Sequence, residues 1–411
     1  MRNFKPYNTI GKEEIKAVQK VMKTGVLSKF LGSPGKDFYG GPQVQKFENC
    51  IKKYFKVKYA ITVNSWTSGL ITCVGTLDIS PGDEIIVTTW SMCASATAIL
   101  HWNCIPVFAD INPDTYNIDV NSIEKKITKK TKAIITVDIF GQSCEILKIM
   151  KIAKKYDLKV ISDSAQSIGS KVGKDYSGTL ADIGGYSLNY HKHINTGEGG
   201  IIVTNNKKLY KKACLIRNHA EAVINKNSNT KQLSNMIGYN FRLGEIEAAI
   251  GIEQLKKLKN LIIKRQNIAK ILDKGLSKLP HLKIPKVLKK NTHSYYIYPI
   301  YLDIEKTQIS RKKIVNELKK SGVPGLAEGY VNIHKLPMYK RKIAYGINNF
   351  PWKSSFNKKI YDYNKEKLPI AEKMHKDFFF AIELCLFDFS ERDANYIVNC
   401  FNKVWKILKI K

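Results

Sequence analysis

The chain has 411 residues, 44% hydrophobic, with 68 Lys+Arg against 35 Asp+Glu and a formal net charge of +33. That length supports a sizeable core and two domains rather than one, and no run of about 18 apolar residues marks a membrane span. The opening stretch MRNFKPYNTIGKEEIKAV has no apolar signal-peptide core, so a cytoplasmic location is expected.

The positive charge is spread along the chain, as in KKLYKKA (207–213) and EQLKKLKNLIIKR (253–265), where basic residues fall at helical spacing opposite apolar ones. That pattern is a solvated helix face. No helix-turn-helix, zinc finger or RNA-binding aromatic motif accompanies it, so no specific nucleic-acid partner is expected. An anionic substrate would still be drawn by such a field. The eight cysteines are scattered and none forms a C-x-x-C pair, which points to reduced thiols and to no metal site.

In chain order, YAITV (59–63) reads as a short apolar strand and SWTSGLITCVGTL (65–77) as a helix. DEIIVTT (83–89) is a second strand, ASATAILHW (94–102) a helix, IPVFADI (105–111) a third strand and AIITVDIF (133–140) a fourth. EILKIMKIAKKYD (145–157) is a helix and KVISDSA (159–165) a fifth strand. Continuous β-branched runs alternating with helices predict an α/β fold with a mostly parallel sheet covered on both faces. In such sheets ligands sit at the carboxyl ends of the strands. A long helical pattern fills 237–276 and leads into a smaller α+β region, with a strand at SYYIYPIYLD (294–303) and helices at SRKKIVNELKKSG (310–322) and AEKMHKDFFFAIELC (371–385). The expected division is a large αβα domain over 1–265 and a small C-terminal α+β domain over 266–411.

Three stretches carry chemistry. SLNYHKHINTGEGG (187–200) sets Lys192 between two histidines in a glycine-rich loop. A lysine amine attacks carbonyls only when neutral, and burial and nearby positive groups bring it there. ISDSAQ (161–166) ends a strand on Asp163. Such a carboxylate is either a helix cap or the partner of a cationic ring, as in pyridoxal 5'-phosphate (PLP) sites, where an Asp pairs with the pyridine nitrogen and a lysine holds the aldehyde. Gln166, three residues on, is in reach of the ring hydroxyl. VNSWTSGL (63–70) runs from a strand into a helix through Ser65, Trp66 and Thr67, and a helix N-terminus with hydroxyls is a phosphate site. Ser187 supplies a further hydroxyl.

The order NSWTS, VTTWSMCASATAI, DIFGQ, ISDSAQSIGS, YSLNYHKHINTGEGG, IRNHAE and IGYNFRLGEIEAAIGIEQL resembles the DegT/DnrJ/EryC1/StrS family over roughly residues 5–400. The resemblance implies a PLP-dependent aminotransferase of fold type I that works as a homodimer with shared active sites. Lys192 takes the place of the lysine that holds PLP, Asp163 that of the ring-nitrogen partner and Gln166 that of the neighbour of the ring oxygen. Ser187, Thr67 and the Trp66 amide form the phosphate cradle, and Asn240 reaches the phosphate across the dimer interface. His334 falls near the sugar site, and Trp90 and His193 are expected beside it on the substrate side. Two departures stand out. Trp66 occupies a position that is often glycine, with its ring expected toward the substrate mouth. Met92 stands where an aromatic residue usually stacks on the cofactor; a thioether also packs on a π face.

The implied reaction moves an amino group from an amino acid, L-glutamate by resemblance, to a keto sugar, most often nucleotide-linked, for surface polysaccharide or glycoconjugate synthesis. A small phosphorylated ketone or a keto-inositol remains open as acceptor. Relatives with histidine in place of the lysine are sugar 3-dehydratases; the ungapped count from Ser187 sets Lys192 at the reactive position and favours transamination.

Overall fold

A strand covered on both faces has no side on which to place polar residues, and the sheet at the centre of this chain is built from such strands. The computed structural model describes residues 2–224, 234–357 and 361–411. Two helices, α1 (Lys12–Thr24) and α2 (Pro42–Phe55), precede the sheet. Then come β1 (Tyr59–Val63), α3 (Trp66–Gly75), β2 (Glu84–Thr88), α4 (Ala94–Leu100), β3 (Ile105–Ala109), α5 (Val120–Lys126), β4 (Thr131–Val137), α6 (Ile146–Lys155) and β5 (Lys159–Asp163). A two-stranded hairpin, β6 (Lys171–Val172) and β7 (Asp175–Tyr176), leads to β8 (Ile183–Ser187) and β9 (Gly200–Thr204).

The large sheet has seven strands in the order β1-β9-β8-β5-β4-β2-β3, and β9 alone runs against its neighbours. The period-2 geometry of a strand divides its residues between two cores. Ile85 and Val87 face α3 and α4, while Ile86 between them faces α5 and α6. The parallel strands therefore bring Val63, Thr88, Val137, Asp163 and Ser187 to one edge of the sheet, where the site lies.

Beyond α7 (Lys207–Arg217) and α8 (Ala220–Val223), α9 (Glu245–Leu276) runs for 32 residues, about 48 Å at the helical rise. Its first half packs on the large sheet through Ala248, Ile252, Leu255 and Leu258; its second half enters the small-lobe core through Ile268, Ala269, Leu272 and Leu276. The boundary expected at 265/266 thus falls inside one unbroken helix, at the point where its packing changes partner. The small lobe is an antiparallel sheet, β10 (Leu282–Lys283), β11 (Tyr298–Leu302), β12 (Leu326–Glu328) and β13 (Phe379–Ile382), in the order β10-β11-β13-β12. Two longer helices back it, Arg311–Lys320 and Glu391–Ile407.

Neither lobe is one stretch of chain. Phe4 packs edge-on against Phe387 and Phe389 in the small-lobe core. Conversely Ile333, Tyr339, Trp352 and Tyr363 pack into the large-lobe core with Leu70 and Ile99. One expected element is corrected. Within 371–385 only the start is helical (Pro369–Lys373, then a wide turn over Met374–Phe378), and Phe379–Ile382 is the strand β13, paired on both edges. Three consecutive phenylalanines, 378–380, suit a fully buried pleated strand better than one helix face.

Candidate active site

Asp163 is the last residue of β5, and three groups of this chain close on its buried carboxylate. The Trp66 indole Nε1 donates to Oδ1 at 2.6 Å, the Ser95 hydroxyl to Oδ2 at 2.7 Å, and the Ala165 amide to Oδ1 at 3.2 Å. Burial pushes this carboxyl up from the ordinary carboxylate range, while the Ser95 and Trp66 hydrogen bonds and the Lys192 charge hold it down. The Trp66 ring therefore turns inward to Asp163 and not toward the substrate mouth. Asp163 forms no ion pair within the described residues.

Lys192 stands on the loop between β8 and β9. Its amide donates to the Asn189 carbonyl, and the loop is closed by Leu188 N to Gly199 O and Thr196 N to Leu188 O. Gly199 has φ +156, and a Cβ there would lie 2.6 Å from Thr196 Oγ1, so glycine is required. The Lys192 side chain is 7% exposed. Its ammonium lies 4.4 Å from the centroid of the Tyr296 ring and has no hydrogen-bond acceptor among the described residues. Burial lowers its pKa to about 8, against the opposing pull of Cys385 and Asp163. The flanking imidazoles are not the cause, since burial holds His191 at about 4 and His193 well below its ordinary range, both neutral at pH 7. Lys192 thus faces an open space as an amine whose pKa is lowered toward the physiological range, so the neutral, nucleophilic form is far more accessible than for a surface lysine.

That space is a cavity of about 270 Å³. Lys192, Asp163 and Gln166 line it together with Ser65, Trp66, Thr67, Ser187 and Met92. Gln166 is fixed at both ends, accepting the Phe140 amide at 2.8 Å and donating to the Tyr330 hydroxyl at 3.0 Å. Ser65 is the N-cap of α3 and accepts from the Ser68 amide at 3.1 Å. The first amides of α3, at Trp66 and Thr67, have no intrahelical partner and open toward the cavity.

Four expected residues lie away from this lining. His193 is fully buried and its Nε2 donates to the Ser294 carbonyl at 2.8 Å, anchoring the lysine loop to the segment before β11. Trp90 is buried behind the cavity, with Tyr330, Phe140, Tyr116 and Phe379 at its edges. His334 joins Thr89 Oγ1 and Glu372 Oε1 and is 1% exposed, so it ties the large sheet to Glu372 and offers nothing to a sugar. Asn240 is exposed on the segment before α9, bridged to Asn218, and does not line its own chain's cavity. The sequence reading missed Ser95, Tyr296 and Tyr330, whose distance along the chain from Asp163 and Lys192 leaves no local signal.

The donor set fits PLP. Of about four acceptor directions on a carboxylate, three on Asp163 are filled, leaving one on Oδ2 for a ring N–H. The buried Lys192 amine lacks an acceptor, and the α3 N-terminus presents free amides of the kind that hold phosphate.

The model of the DegT/DnrJ/EryC1/StrS aminotransferase family matches residues 8–378. The chain belongs to that family. It is a PLP-dependent transaminase, and both Lys192 and Asp163 fall within the matched residues. Among relatives, the GDP-perosamine synthase of Escherichia coli O157:H7 is 36% identical over 302 residues, 74% of this chain and 80% of that protein. The UDP-4-amino-4,6-dideoxy-N-acetyl-beta-L-altrosamine transaminase of Helicobacter pylori is 34% identical over 349 residues, 84% of this chain and 87% of that protein. The solved structure of Helicobacter pylori PseC, an aminotransferase involved in the biosynthesis of pseudoaminic acid, superposes with a TM-score of 0.81 at 29% identity, covering 99% of this chain and 100% of that one.

Proposed function

We propose that this transaminase moves an amino group from L-glutamate to a nucleotide-linked keto sugar destined for a surface polysaccharide or glycoconjugate. The observation that carries the reading is the pairing, in one cavity, of a buried lysine amine without an acceptor and a buried carboxylate with one open acceptor direction. The names of the relatives, a GDP-perosamine synthase and a UDP-linked amino-sugar transaminase, support the substrate class.

Lys192 would hold the cofactor's aldehyde carbon, Asp163 its ring nitrogen, and the α3 amides with Thr67 and Ser187 its phosphate. When bound, PLP supplies an electron sink that acidifies the donor's α-proton. Lys192 Nζ takes that proton and returns it, as general base and then general acid, a role suited to an amine near pKa 8. Asp163 keeps a proton on the ring nitrogen by staying ionised against it. Gln166, pinned by Phe140 and Tyr330, orients the ring oxygen, and Met92 covers one side of the cavity mouth.

Asn240 belongs in this reading to the neighbouring subunit's site in a homodimer. A hybrid of two inactive variants, Lys192→Ala and Asn240→Ala, would regain activity if sites are shared. The eight cysteines are all unpaired and six are buried, which suits a reducing, cytoplasmic compartment. No helix among the described residues is long and apolar enough to cross a membrane.

The test is direct. PLP-loaded protein is given L-glutamate and the visible absorption band is followed, then GDP- and UDP-linked 4-keto-6-deoxyhexoses, a keto-inositol and a small phosphorylated ketone are added in separate samples and the product is weighed by mass spectrometry. Loss of the band with glutamate and its return with one sugar, with an aminated product, is expected. A band that ignores glutamate, or a return only with keto-inositol or a small phosphorylated ketone, would overturn the reading.

A further inference from the structure

We propose that Trp66 and Ser95 are positioning residues that hold the Asp163 carboxylate in one orientation and leave its last acceptor direction for the cofactor's ring nitrogen. This rests on the reading of Asp163 as the partner of that nitrogen.

The geometry is specific. The indole donates to Oδ1 at 2.6 Å and the hydroxyl to Oδ2 at 2.7 Å, so each oxygen is held by a different side chain and the carboxylate cannot rotate without losing both. The Ala165 amide adds a second bond to Oδ1. The donors come from α3 and α4, on the helical face of the sheet, and converge on the end of β5. They sit 97 and 68 residues away in sequence.

The slot for the indole is built for it. A Cβ at Gly69 would stand 2.6 Å from the Trp66 ring; one at Gly185 would first meet the Ile201 carbonyl at 1.9 Å and then the indole at 2.3 Å. Gly69 has no positive φ and lies inside α3, where glycine costs about 1 kcal/mol of helix stability relative to alanine. The space it leaves is filled by the indole. Trp66 is 5% exposed, so its N–H, deprived of water, is satisfied by Asp163 alone. The same residue opens α3, so one side chain and one amide of Trp66 bear on opposite ends of the cofactor site.

The test measures PLP affinity of the full-length protein by equilibrium dialysis, together with the pH midpoint of the visible band. Trp66→Phe keeps most of the ring volume and removes the N–H. Ser95→Ala removes one oxygen atom and guards against a folding defect in the first variant. Each is also made in the Asp163→Ala background. The titratable groups that feel Asp163 are Lys192, the Cys73 thiol and the Tyr330 phenol, and all three are retained in every variant.

Each single variant is expected to weaken PLP binding about tenfold or more, the scale of a hydrogen bond to a charged group. The pH midpoint should move upward, because a ring nitrogen held less firmly as a cation withdraws less charge from the nitrogen of Lys192. In the Asp163→Ala background neither substitution should weaken binding further, since both act through the missing carboxylate. Wild-type affinity and midpoint in both single variants would overturn the proposal, as would equal losses with and without Asp163. If Asp163→Ala itself binds PLP like wild type, it is the reading of Asp163 that fails, and the proposal with it.

Discussion

Glu48 with Arg217, and Asp163 with Lys192, are two sets of opposite charges in the same lobe, both buried and built in opposite ways. Arg217 Nη1 meets Glu48 Oε1 at 2.7 Å, the same oxygen accepts the Thr62 amide at 2.9 Å, and the guanidinium lies 4.8 Å from the Phe30 ring centroid. That pair meets directly, although Arg217 Nε and Nη2 are buried without a partner among the described residues. Asp163 and Lys192 do not meet: one is saturated by neutral donors in all but one direction, and the other faces a ring and an open cavity. A charge in direct contact with its opposite is structural, whereas opposite charges kept apart hold room for a third group. The distinction lies in what each charge touches, since burial alone is the same in both places.

Four measurements break or sharpen this contrast. Lys192→Ala should abolish turnover and the borohydride-trapped mass of PLP on the chain, with no loss of folding by circular dichroism. Glu48→Gln should do the reverse. It strands Arg217 as a lone buried charge, a cost of about 3–5 kcal/mol read from the urea midpoint, while PLP affinity of the folded protein stays at the wild-type value.

The third measurement concerns pH. Lys192 falls from 10.5 to about 8 on folding, so between these values the unfolded chain binds the extra proton and stability gained from this group rises with pH. Below pH 8 the folded protein carries the full penalty of a buried ammonium, roughly 3 kcal/mol for such a shift. Apoprotein of Lys192→Met should therefore be more stable than wild type at pH 8, with the advantage shrinking toward pH 10.5. A constant difference across that window would refute the buried-amine description. The smallest effect is expected from His334→Ala, which leaves PLP affinity unchanged and lowers stability by about 1–2 kcal/mol through the unpaired Thr89 hydroxyl.

Lys192 and Asp163, the pair read as reactive, were singled out by local signals whose roles the ordered motifs of the family resemblance then assigned. Asp163 closes an apolar strand, and Lys192 sits in a loop whose glycines announce a tight turn. The groups that govern the pair were not legible for the opposite reason. Ser95 reads as one more small residue in ASATAIL, and nothing near Trp66 says that its ring will meet a carboxylate 97 residues away. Strands β8 and β9 escaped the pattern for another cause. IGGYS carries two glycines, and GIIVT opens on a third, so neither looks like a β-branched run. The helix expected over 371–385 came from apolar residues that satisfy two periods at once, and the vacancy between β11 and β12 decided in favour of the strand. Trp90 was drawn from the substrate side by packing among Tyr116, Phe140, Tyr330 and Phe379, and His334 by its hydrogen bonds to Thr89 and Glu372.

The seat of Phe4 among Phe387, Phe389 and Tyr396 sets an order of events during synthesis. At cellular elongation rates of about 5–20 residues per second, the partners of Phe4 emerge roughly 20–80 s after it does. The large sheet has all its strands long before that. The small lobe, whose floor includes the far end of α9, must stay open until the last helix arrives and Phe4 is clasped. A nascent chain of this protein is therefore half a catalyst for most of its birth, with Lys192 and Asp163 already made and the wall bearing Tyr296 and Tyr330 still waiting for its final strand.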